Sequence, residues 1–438
     1  MAELNLGGLS GATGISRFAR ARAILGGSAG NLVEWYDWFA YSSFALYFAK
    51  HFFPKGDDTA QLMQTAAVFW VGFLARPLGA WLTGLYADRA GRRAALTLSV
   101  SLMCAGSFAI AIMPDYSDWG TMAPVALVIA RLVQGLSLGG EYGASATYMS
   151  EMAGKTRRGF WSSFQFMTLI MGQLTALGVL IVLQHALPTA DLEAWGWRIP
   201  FAIGGLLAIV VFFIRLGLVE SPSFEAAKAS GAERSSAWLL FAKFPKEAAT
   251  IFALTSAGSL AFYAYTTYMQ KFLVTTSGFS KDTATGISAA SLLVYMLLQP
   301  AFGALSDRIG RKISLIFAFS LGCMITYPVM SQIAVTHDAV TAFFLVLALL
   351  FALSGYTAVN AVLKAELFPA HVRALGVALP YALANSIFGG SAEYVALRFK
   401  AAGHAGGFYI YVAVVMAVAL VVAIRLRDTN RHSLIVED

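Results

Sequence analysis

The chain has 438 residues, of which 58% are hydrophobic and only 13% are charged, and its mean hydropathy is +0.67. This composition excludes an ordinary soluble globular protein, in which about a quarter of the residues are charged, and predicts a polytopic membrane protein. The net charge of +7 is not gathered on one patch, which excludes a nucleic-acid-binding protein.

The predicted elements are membrane-spanning helices. A helix needs roughly 20 apolar residues to cross about 30 Å of hydrocarbon, and the chain has twelve runs of that length. They lie at 26–50, 62–86, 94–114, 121–146, 161–187, 197–218, 249–273, 284–306, 313–333, 339–363, 374–397 and 406–425. We therefore predict an all-α integral membrane protein with twelve transmembrane helices.

The spans divide the chain into two bundles of six helices. We expect a cytoplasmic N-terminal tail at 1–25, an N-terminal bundle at 26–218, a cytoplasmic linker at 219–248, a C-terminal bundle at 249–426 and a cytoplasmic C-terminal tail at 427–438. When basic residues at the ends of spans are counted with the adjoining segment, Lys and Arg number 22 on the cytoplasmic side and 7 on the outer side. This bias follows the positive-inside rule and places both termini in the cytoplasm.

A loop between spans is duplicated. GLYADRAGRR at 84–93 returns 219 residues later as GALSDRIGRK at 303–312. A second pair, EMAGKTRRG from Glu151 and ELFPAHVRALG from Glu366, recurs at an offset of 215. Repeated halves of this size are typical of secondary transporters, which hold the substrate between two bundles.

The duplicated loops carry candidate gating residues. The arginines can bind a carboxylate on a neighbouring helix, and Glu151 is the expected partner of Arg92. Such a pair would latch the cytoplasmic side shut in one state and release it in another. The alternative is a set of solvated charges that fix topology. The gating candidates are Asp88, Arg92, Glu151, Asp307, Arg311 and Glu366.

Several segments resemble a known family. GLYADRAGRR resembles the loop signature of the major facilitator superfamily, and ARLVQGLSLGGEYG at 130–143 resembles its helix 4 motif. The chain also resembles the metabolite:proton symporter family in the segments GNLVEWYDWF, GFLARPLGAW, AWGWRIPFAIG, AGSLAFYAYTTYMQKFLV and LKAELFPAHVRALGV. The resemblance implies the major facilitator fold, with two six-helix bundles, and proton-coupled import across the bacterial inner membrane by alternating access.

The expected substrate also comes from this resemblance. TTYMQK and FGGSAEYVAL are similar to the family's carriers of 2-oxoglutarate, so a dicarboxylate is expected. Other members carry shikimate, citrate, or zwitterions such as proline and betaine, and these stay open as alternatives. The expected partners are a small carboxylate, protons and membrane lipids; the chain is expected to act as a monomer without a cofactor.

Two other classes of protein are disfavoured. A membrane sensor would normally need a soluble output domain, and no hydrophilic stretch is long enough for one. An enzyme with a bound metal would need a cluster of His, Cys and acidic ligands. The two cysteines occupy corresponding places in opposite halves, and the six histidines lie near loop ends or in the tail. We therefore expect neither an enzyme nor a metal site.

Three carboxylates in the N-terminal half are candidates for taking up the coupled proton. Glu34 and Asp37 are three residues apart and share a face of the first helix. Glu141 precedes Glu151 by ten residues, which places it about 15 Å from the inner surface. Low dielectric disfavours the charge of a lone carboxylate, which favours protonation. The alternative is a fixed salt bridge to Arg76 or Arg131.

Two arginines lie inside predicted spans. Arg76 precedes Asp88 by 12 residues and so lies about 18 Å deep, near the midplane, where its guanidinium suits a carboxylate. A structural ion pair with helix 1 or 4, or a gating role, is the alternative. Arg131 resembles the superfamily's helix 4 arginine, which implies a role in proton linkage. Its estimated depth of about 30 Å from Glu151 also permits snorkelling to the outer interface.

The second half supplies further candidates for binding the substrate. Tyr265, Tyr268 and Lys271 follow one another at intervals of three residues, so neighbours in this series share a helix face. A hydroxyl and an ammonium that face Arg76 across the cavity could bind the second carboxylate of a diacid. For the tyrosines, anchoring at the membrane interface is the alternative.

Three further polar residues are candidates. Gln173 and Asn385 lie midway along their spans, where amides either contact substrate or bond a neighbouring helix. Arg198 enters the sixth span from outside and could recruit anions or pack at the helix start. On the fourth span, Gly135 and Gly139 belong to a small-xxx-small ladder that favours close helix approach.

Overall fold

The structure is a computed structural model that describes 17–90, 92–139, 142, 146–147, 150, 157–216, 237–429 and 433–435. Within these ranges, the side chains of 17–30, 84–85, 87–90, 92–96, 214–216, 237–239 and 370–371 are not described. Four predicted residues therefore lie outside the described residues or side chains: Asp88, Arg92, Glu141 and Glu151. All regular structure in the described part is helical, as predicted.

The first half contributes six long helices. They are α1 Arg17–Phe52, α2 Asp58–Ala90, α3 Arg92–Ile112, α4 Met122–Gly139, α5 Phe164–Ala186 and α6 Ile199–Leu216. A short helix, Arg158–Ser162, directly precedes α5, and another, Thr189–Ala194, lies between α5 and α6.

The second half also contributes six long helices, and three of them are interrupted. They are α7 (Pro245–Tyr265 and Met269–Thr275), α8 Lys281–Ile309, α9 Arg311–Val335, α10 (Ala339–Thr357 and Asn360–Glu366), α11 (Ala370–Ala384, a π turn Asn385–Gly389, and Ala392–Ala401) and α12 Ala405–Arg425. Interrupted helices in membrane transporters tend to line the substrate cavity, and π turns are frequent at functional sites.

The predicted spans agree with these helices. Ten helices of the described residues are long and apolar enough to cross a membrane, and α1 and α3 complete the predicted twelve. Most ends differ from the prediction by a few residues. The largest difference is α1, which begins at Arg17, because its first turns contain charged residues that end an apolar run but do not end a helix.

Helices α2 and α4 pack backbone against backbone. A Cβ added to Gly135 would lie 2.0 Å from the carbonyl oxygen of Gly72, and one added to Gly139 would lie 2.1 Å from that of Arg76. Small residues allow such close approach between membrane helices. The prediction made for Gly135 and Gly139 is confirmed, and the contact fixes the position of Arg76 on α2.

Replacing Gly135 with alanine is expected to destabilise the fold, because the new methyl group would force α2 and α4 apart. Overpacking of this kind typically costs about 1–3 kcal/mol or more. The matched control is Gly178→Ala on α5, where an added Cβ meets nothing within 4 Å. The melting temperature of the purified protein checks both variants, and equal values for the two would contradict the prediction.

Candidate functional site

Arg76 lies on α2 at a cavity between the two halves. Its side chain is 4% exposed, and the guanidinium carbon lies 3.9 Å from the ring centre of Phe73, 4.1 Å from that of Trp38 and 5.3 Å from that of Trp35. Its Nε and Nη2 atoms have no hydrogen-bond partner. In the described part of the chain, no carboxylate oxygen forms an ion pair with Arg76. The guanidinium is held by aromatic faces, and two of its nitrogens lack partners.

The cavity beside Arg76 is small, about 10 Å³, which is room for about one water molecule. Asn31 and Glu34 of α1 line it from the first half, and Tyr381 of α11 lines it from the second. Tyr142, which follows α4, stacks on Tyr381 with ring centres 3.7 Å apart. The structure therefore brings two predicted residues, Arg76 and Glu34, to one enclosed space.

Asp37 lies deeper in the first half and is fully surrounded. The Ser107 hydroxyl donates to Asp37 Oδ1, and the Gln134 amide donates to Oδ2 over 2.6 Å. Gln134 Oε1 in turn accepts from Arg131 Nη1 over 2.8 Å. Asp37 and Arg131 are thus linked through Gln134 rather than by the direct salt bridge that the sequence left open.

Arg131 is not at the membrane interface, and the snorkelling interpretation is wrong. Its side chain is 0% exposed, and its guanidinium carbon lies 3.9 Å from the Trp38 ring centre and 4.4 Å from that of Tyr41. Because Trp38 also contacts Arg76, both arginines reach one aromatic ring. A fixed rise per residue gives a distance along a helix but not the face on which a side chain lies, and the side chain of Arg131 faces the interior of the first half.

Lys271 is neutralised by a carboxylate that the sequence analysis did not select. Its Nζ lies 2.7 Å from Glu393 Oε2 on α11 and 2.6 Å from Ser42 Oγ on α1. This group lines a small cavity with Tyr41 and Phe69. In this conformation Lys271 therefore joins the two halves and does not line the Arg76 cavity.

The two tyrosines predicted beside Lys271 pack within the second half. Tyr265 makes a 2.5 Å hydrogen bond with Thr326 of α9, and the Tyr268 ring lies 6.0 Å from Phe408 of α12. Neither residue lines the Arg76 cavity. Both are buried, which does not fit anchors at the membrane interface.

Asn385 is fully buried on α11. It begins the π turn of α11, its Nδ2 lies 3.4 Å from the Tyr381 hydroxyl, and its Oδ1 has no hydrogen-bond partner. It lines a second cavity with Tyr263 and Tyr381. Tyr381 lines both cavities, so Asn385 is the uncharged candidate that lies beside the Arg76 cavity.

The other two polar candidates lie elsewhere. Gln173 is buried on α5 but lines neither central cavity, and its Oε1 has no partner. Arg198 donates to the carbonyl oxygen of Met113 over 2.5 Å and stacks on Trp197. These contacts fit the alternative in which Arg198 packs at the start of the helix.

The end of the molecule that carries the second duplicated loop is closed. Asp307 accepts from the backbone N–H groups of Gly159 over 2.7 Å and Phe160 over 3.0 Å, at the start of a helix of the first half. Arg311 lies 2.9 Å from Asp307 and 3.7 Å from Glu366. We name these contacts the loop-end gate.

The chain after α12 folds back onto the loop-end gate. Thr429 donates to Glu366 Oε2 over 2.6 Å, and the Leu434 amide donates to the Glu366 carbonyl oxygen over 3.0 Å. Ile435 is buried in an apolar cluster that includes Tyr142 and Tyr381. The tail therefore contacts residues of both halves below the central cavity.

The opposite end is also closed by ionic contacts between the halves. Glu193 lies 2.5 Å from Lys50 Nζ and 2.7 Å from Lys281 Nζ. Lys281 also donates to the Leu46 carbonyl oxygen over 3.1 Å. We name this trio the far-end gate. With both gates shut, the cavity beside Arg76 is occluded.

Replacing Glu193 with glutamine is expected to lower the melting temperature slightly at pH 7, because ion pairs this exposed contribute about 0–1 kcal/mol. Burial raises the pKa of Glu193, but hydrogen bonds from Lys281 and Lys50 outweigh it and hold the pKa below its usual value of 4.5. The ionised Glu193 carboxylate therefore contributes fully to stability above pH 4.5. This contribution is lost as the pH falls through the folded-state pKa, which lies below 4.5. Melting curves at pH 7 and about pH 5 should show the same difference between variant and parent. A difference that shrinks over this range would contradict the assignment.

The residues that were not predicted include Gln134, Tyr142, Lys364, Tyr381 and Glu393. Glu393 could have been found, because it is a carboxylate inside a predicted span, the signal that selected Asp37. The predicted span ends at 363 and leaves Lys364 in a loop, whereas the helix continues to Glu366. Nothing in the sequence indicates that Tyr142 and Tyr381 meet.

Comparison with known proteins identifies the family. The family model for sugar (and other) transporters matches residues 23–240 and 225–436. The chain belongs to this transporter family. As a member, it is a multi-pass membrane transporter and not an enzyme.

Individual relatives of this transporter cover nearly its whole length. The alpha-ketoglutarate permease of Escherichia coli K12 is 50% identical over 98% of this chain and 99% of the permease. A citrate-proton symporter of Klebsiella pneumoniae is 34% identical over 85% of this chain and 84% of the symporter. The solved structure of the proton:xylose symporter XylE matches with a TM-score of 0.74 at 18% identity, covering 95% of this chain and 97% of XylE. The major facilitator fold is thereby confirmed.

Proposed function

We propose that this transporter is a proton-coupled symporter that imports a dicarboxylate, 2-oxoglutarate first among them, across the bacterial inner membrane. The observation that carries the proposal is Arg76, whose buried guanidinium keeps two nitrogens without partners beside an occluded cavity. A forked donor of permanent charge is well matched to a carboxylate. Similarity to an alpha-ketoglutarate permease supports the choice of substrate, and citrate is the next candidate.

Proton coupling is assigned to Asp37, with Glu34 as the second carboxylate. Asp37 is buried and joined through Gln134 to Arg131, so a change in its charge acts on an arginine that shares Trp38 with Arg76. Glu34 lines the Arg76 cavity directly. This arrangement connects protonation to the substrate site through contacts within the first half.

The energetics favour coupling to more than one proton. A dianion that enters a negative-inside cell opposes about 2.3 kcal/mol per charge for each 100 mV. At least two protons for each substrate would cancel this term. Asp37 and Glu34 offer two carboxylates within the first bundle, and Glu141, outside the described residues, stays a candidate.

Alternating access would then consist of opening one gate at a time. We place the loop-end gate in the cytoplasm together with both termini, because the basic residues are concentrated in those segments. The two bundles, 26–218 and 249–426, would move against each other as a monomer in the lipid bilayer. Asp307, Arg311 and Glu366 would hold the inner side shut, with Asp88, Arg92 and Glu151 as their predicted counterparts.

The test is uptake of labelled 2-oxoglutarate into proteoliposomes with an acidic exterior and a negative interior. Accumulation that a proton ionophore abolishes is the expected result. One control uses vesicles without protein, and a second uses the protein-containing vesicles with ionophore. Accumulation that persists with ionophore would refute proton coupling. If a folded preparation shows no uptake, competition with citrate, shikimate and betaine would identify the substrate class instead.

A further inference from the structure

Lys364 is a second buried cation near the central cavity, and it belongs to the other half of the molecule. It lies on Asn360–Glu366 of α10, its side chain is 1% exposed, and its Nζ lies 3.5 Å from the Tyr142 hydroxyl. The same Nζ lies 4.0 Å from the ring centre of Tyr381. In the described part of the chain, no carboxylate oxygen forms an ion pair with it. Lys271, the other fully buried lysine among the described residues, is neutralised by Glu393.

An ammonium that the described residues leave without a counter-ion is costly inside a membrane protein and requires a reason. The faces of Tyr381 and Tyr142 stabilise it only in part. Asn360, one turn before Lys364 on the same helix, donates from Nδ2 to the Tyr142 hydroxyl, and its Oδ1 is a further buried polar atom that lacks a partner. Buried polar groups in native structures normally have partners, so this cluster indicates that a polar ligand belongs there.

Arg76 and Lys364 are on either side of one aromatic pair. Tyr142 and Tyr381 line the Arg76 cavity, and both rings also contact Lys364. The rings are stacked 3.7 Å apart, which leaves no room for a ligand between them. The stacked rings therefore separate two cations, one from each bundle. The rings must move apart before one ligand can contact both cations.

We propose that Lys364 binds the distal carboxylate of a diacid whose first carboxylate is held by Arg76. This inference rests on the proposed function and names the residue that makes the site prefer diacids. Binding separates the Tyr142 and Tyr381 rings and neutralises one cation in each bundle. A monoacid leaves Lys364 without a counter-ion and binds less tightly.

The test compares a diacid with a monoacid of the same length in proteoliposome exchange at equal pH on both sides. The probes are 2-oxoglutarate and 2-oxovalerate, which lacks the distal carboxylate. In Lys364→Met, the half-saturation concentration of 2-oxoglutarate is expected to rise about 10- to 100-fold, the range for loss of a charge-assisted hydrogen bond. That of 2-oxovalerate is expected to change less than about threefold. Lys364→Arg keeps the charge and is expected to retain most of the diacid preference.

A second readout separates binding from a structural role. Removing an uncompensated buried charge is expected to raise the melting temperature of substrate-free Lys364→Met, whereas loss of a structural contact would lower it. Lys246→Met, at an exposed lysine in the first turn of α7, is the matched control and should leave both values unchanged. If Lys364→Met raised the half-saturation concentrations of diacid and monoacid equally, or raised neither, the inference would be overturned. If the parent protein exchanges the monoacid but no diacid, the proposed function fails and this inference fails with it; Lys364→Gln repeats the test if the methionine variant does not fold.

Discussion

Replacing Arg76 with alanine is expected to abolish binding and uptake of the diacid in protein that still folds. Truncating one partner of a buried charge pair typically costs about 2 to 5 kcal/mol, which is a loss of at least 30-fold in affinity. Arg76→Lys should also lose most activity, because an ammonium cannot reproduce the fork or its stacking on Trp38 and Phe73. Substrate binding to purified protein and uptake into proteoliposomes measure both variants.

The matched control for Arg76 is Arg398→Ala, which removes an exposed arginine from α11. Its affinity for the diacid should equal that of the parent. The gating and ion-pair alternatives for Arg76 make a different prediction, since both would allow binding to persist while transport slows. An Arg76→Ala variant with unchanged affinity would therefore remove the central element of the proposed site.

Replacing Asp37 with asparagine is expected to separate transport from proton coupling. The amide keeps the size of the carboxylate, its oxygen can accept from Gln134 and its NH2 group can donate to the Ser107 hydroxyl, but it does not take up a proton at physiological pH. Accumulation driven by a pH gradient should fall to the level of simple equilibration, while exchange of internal for external substrate continues. Uptake under a gradient and exchange at equal pH, measured on the same vesicles, distinguish the two.

Asp118→Asn is the control for Asp37, because Asp118 is an exposed carboxylate in the segment between α3 and α4. Its accumulation should match that of the parent. If Asp37→Asn still accumulates substrate against a gradient, the coupling role passes to Glu34, which lines the Arg76 cavity. If exchange also stops, Asp37 is required for binding or folding, and its melting temperature decides between those two.

The sequence predicted properties that depend on local patterns. Hydropathy and length located the twelve helices, and they selected Arg76 and Arg131, two arginines that are buried in the structure. The interface alternative for Arg131 was wrong, because hydropathy shows that a charge lies in a span but does not show which face of the helix carries it.

Partners between distant segments could not be predicted. Lys271 and Glu393 are 122 residues apart, and their pairing depends on how α7 and α11 pack rather than on any local pattern. The same holds for Tyr142 with Tyr381, and for the Gln134 that separates Asp37 from Arg131. A single sequence shows which charges lie in the membrane, but it does not show which of them neutralise one another.

The tail that folds back after α12 makes its own release measurable without an attached probe. The Leu434 amide donates to the Glu366 carbonyl oxygen, and Ile435 beside it is buried against residues of both halves. A hydrogen-bonded amide exchanges with deuterated solvent only when its bond opens. Deuterium uptake at Leu434 therefore reports release of the tail from Glu366, a residue of the loop-end gate, and it should slow when a ligand stabilises the occluded state.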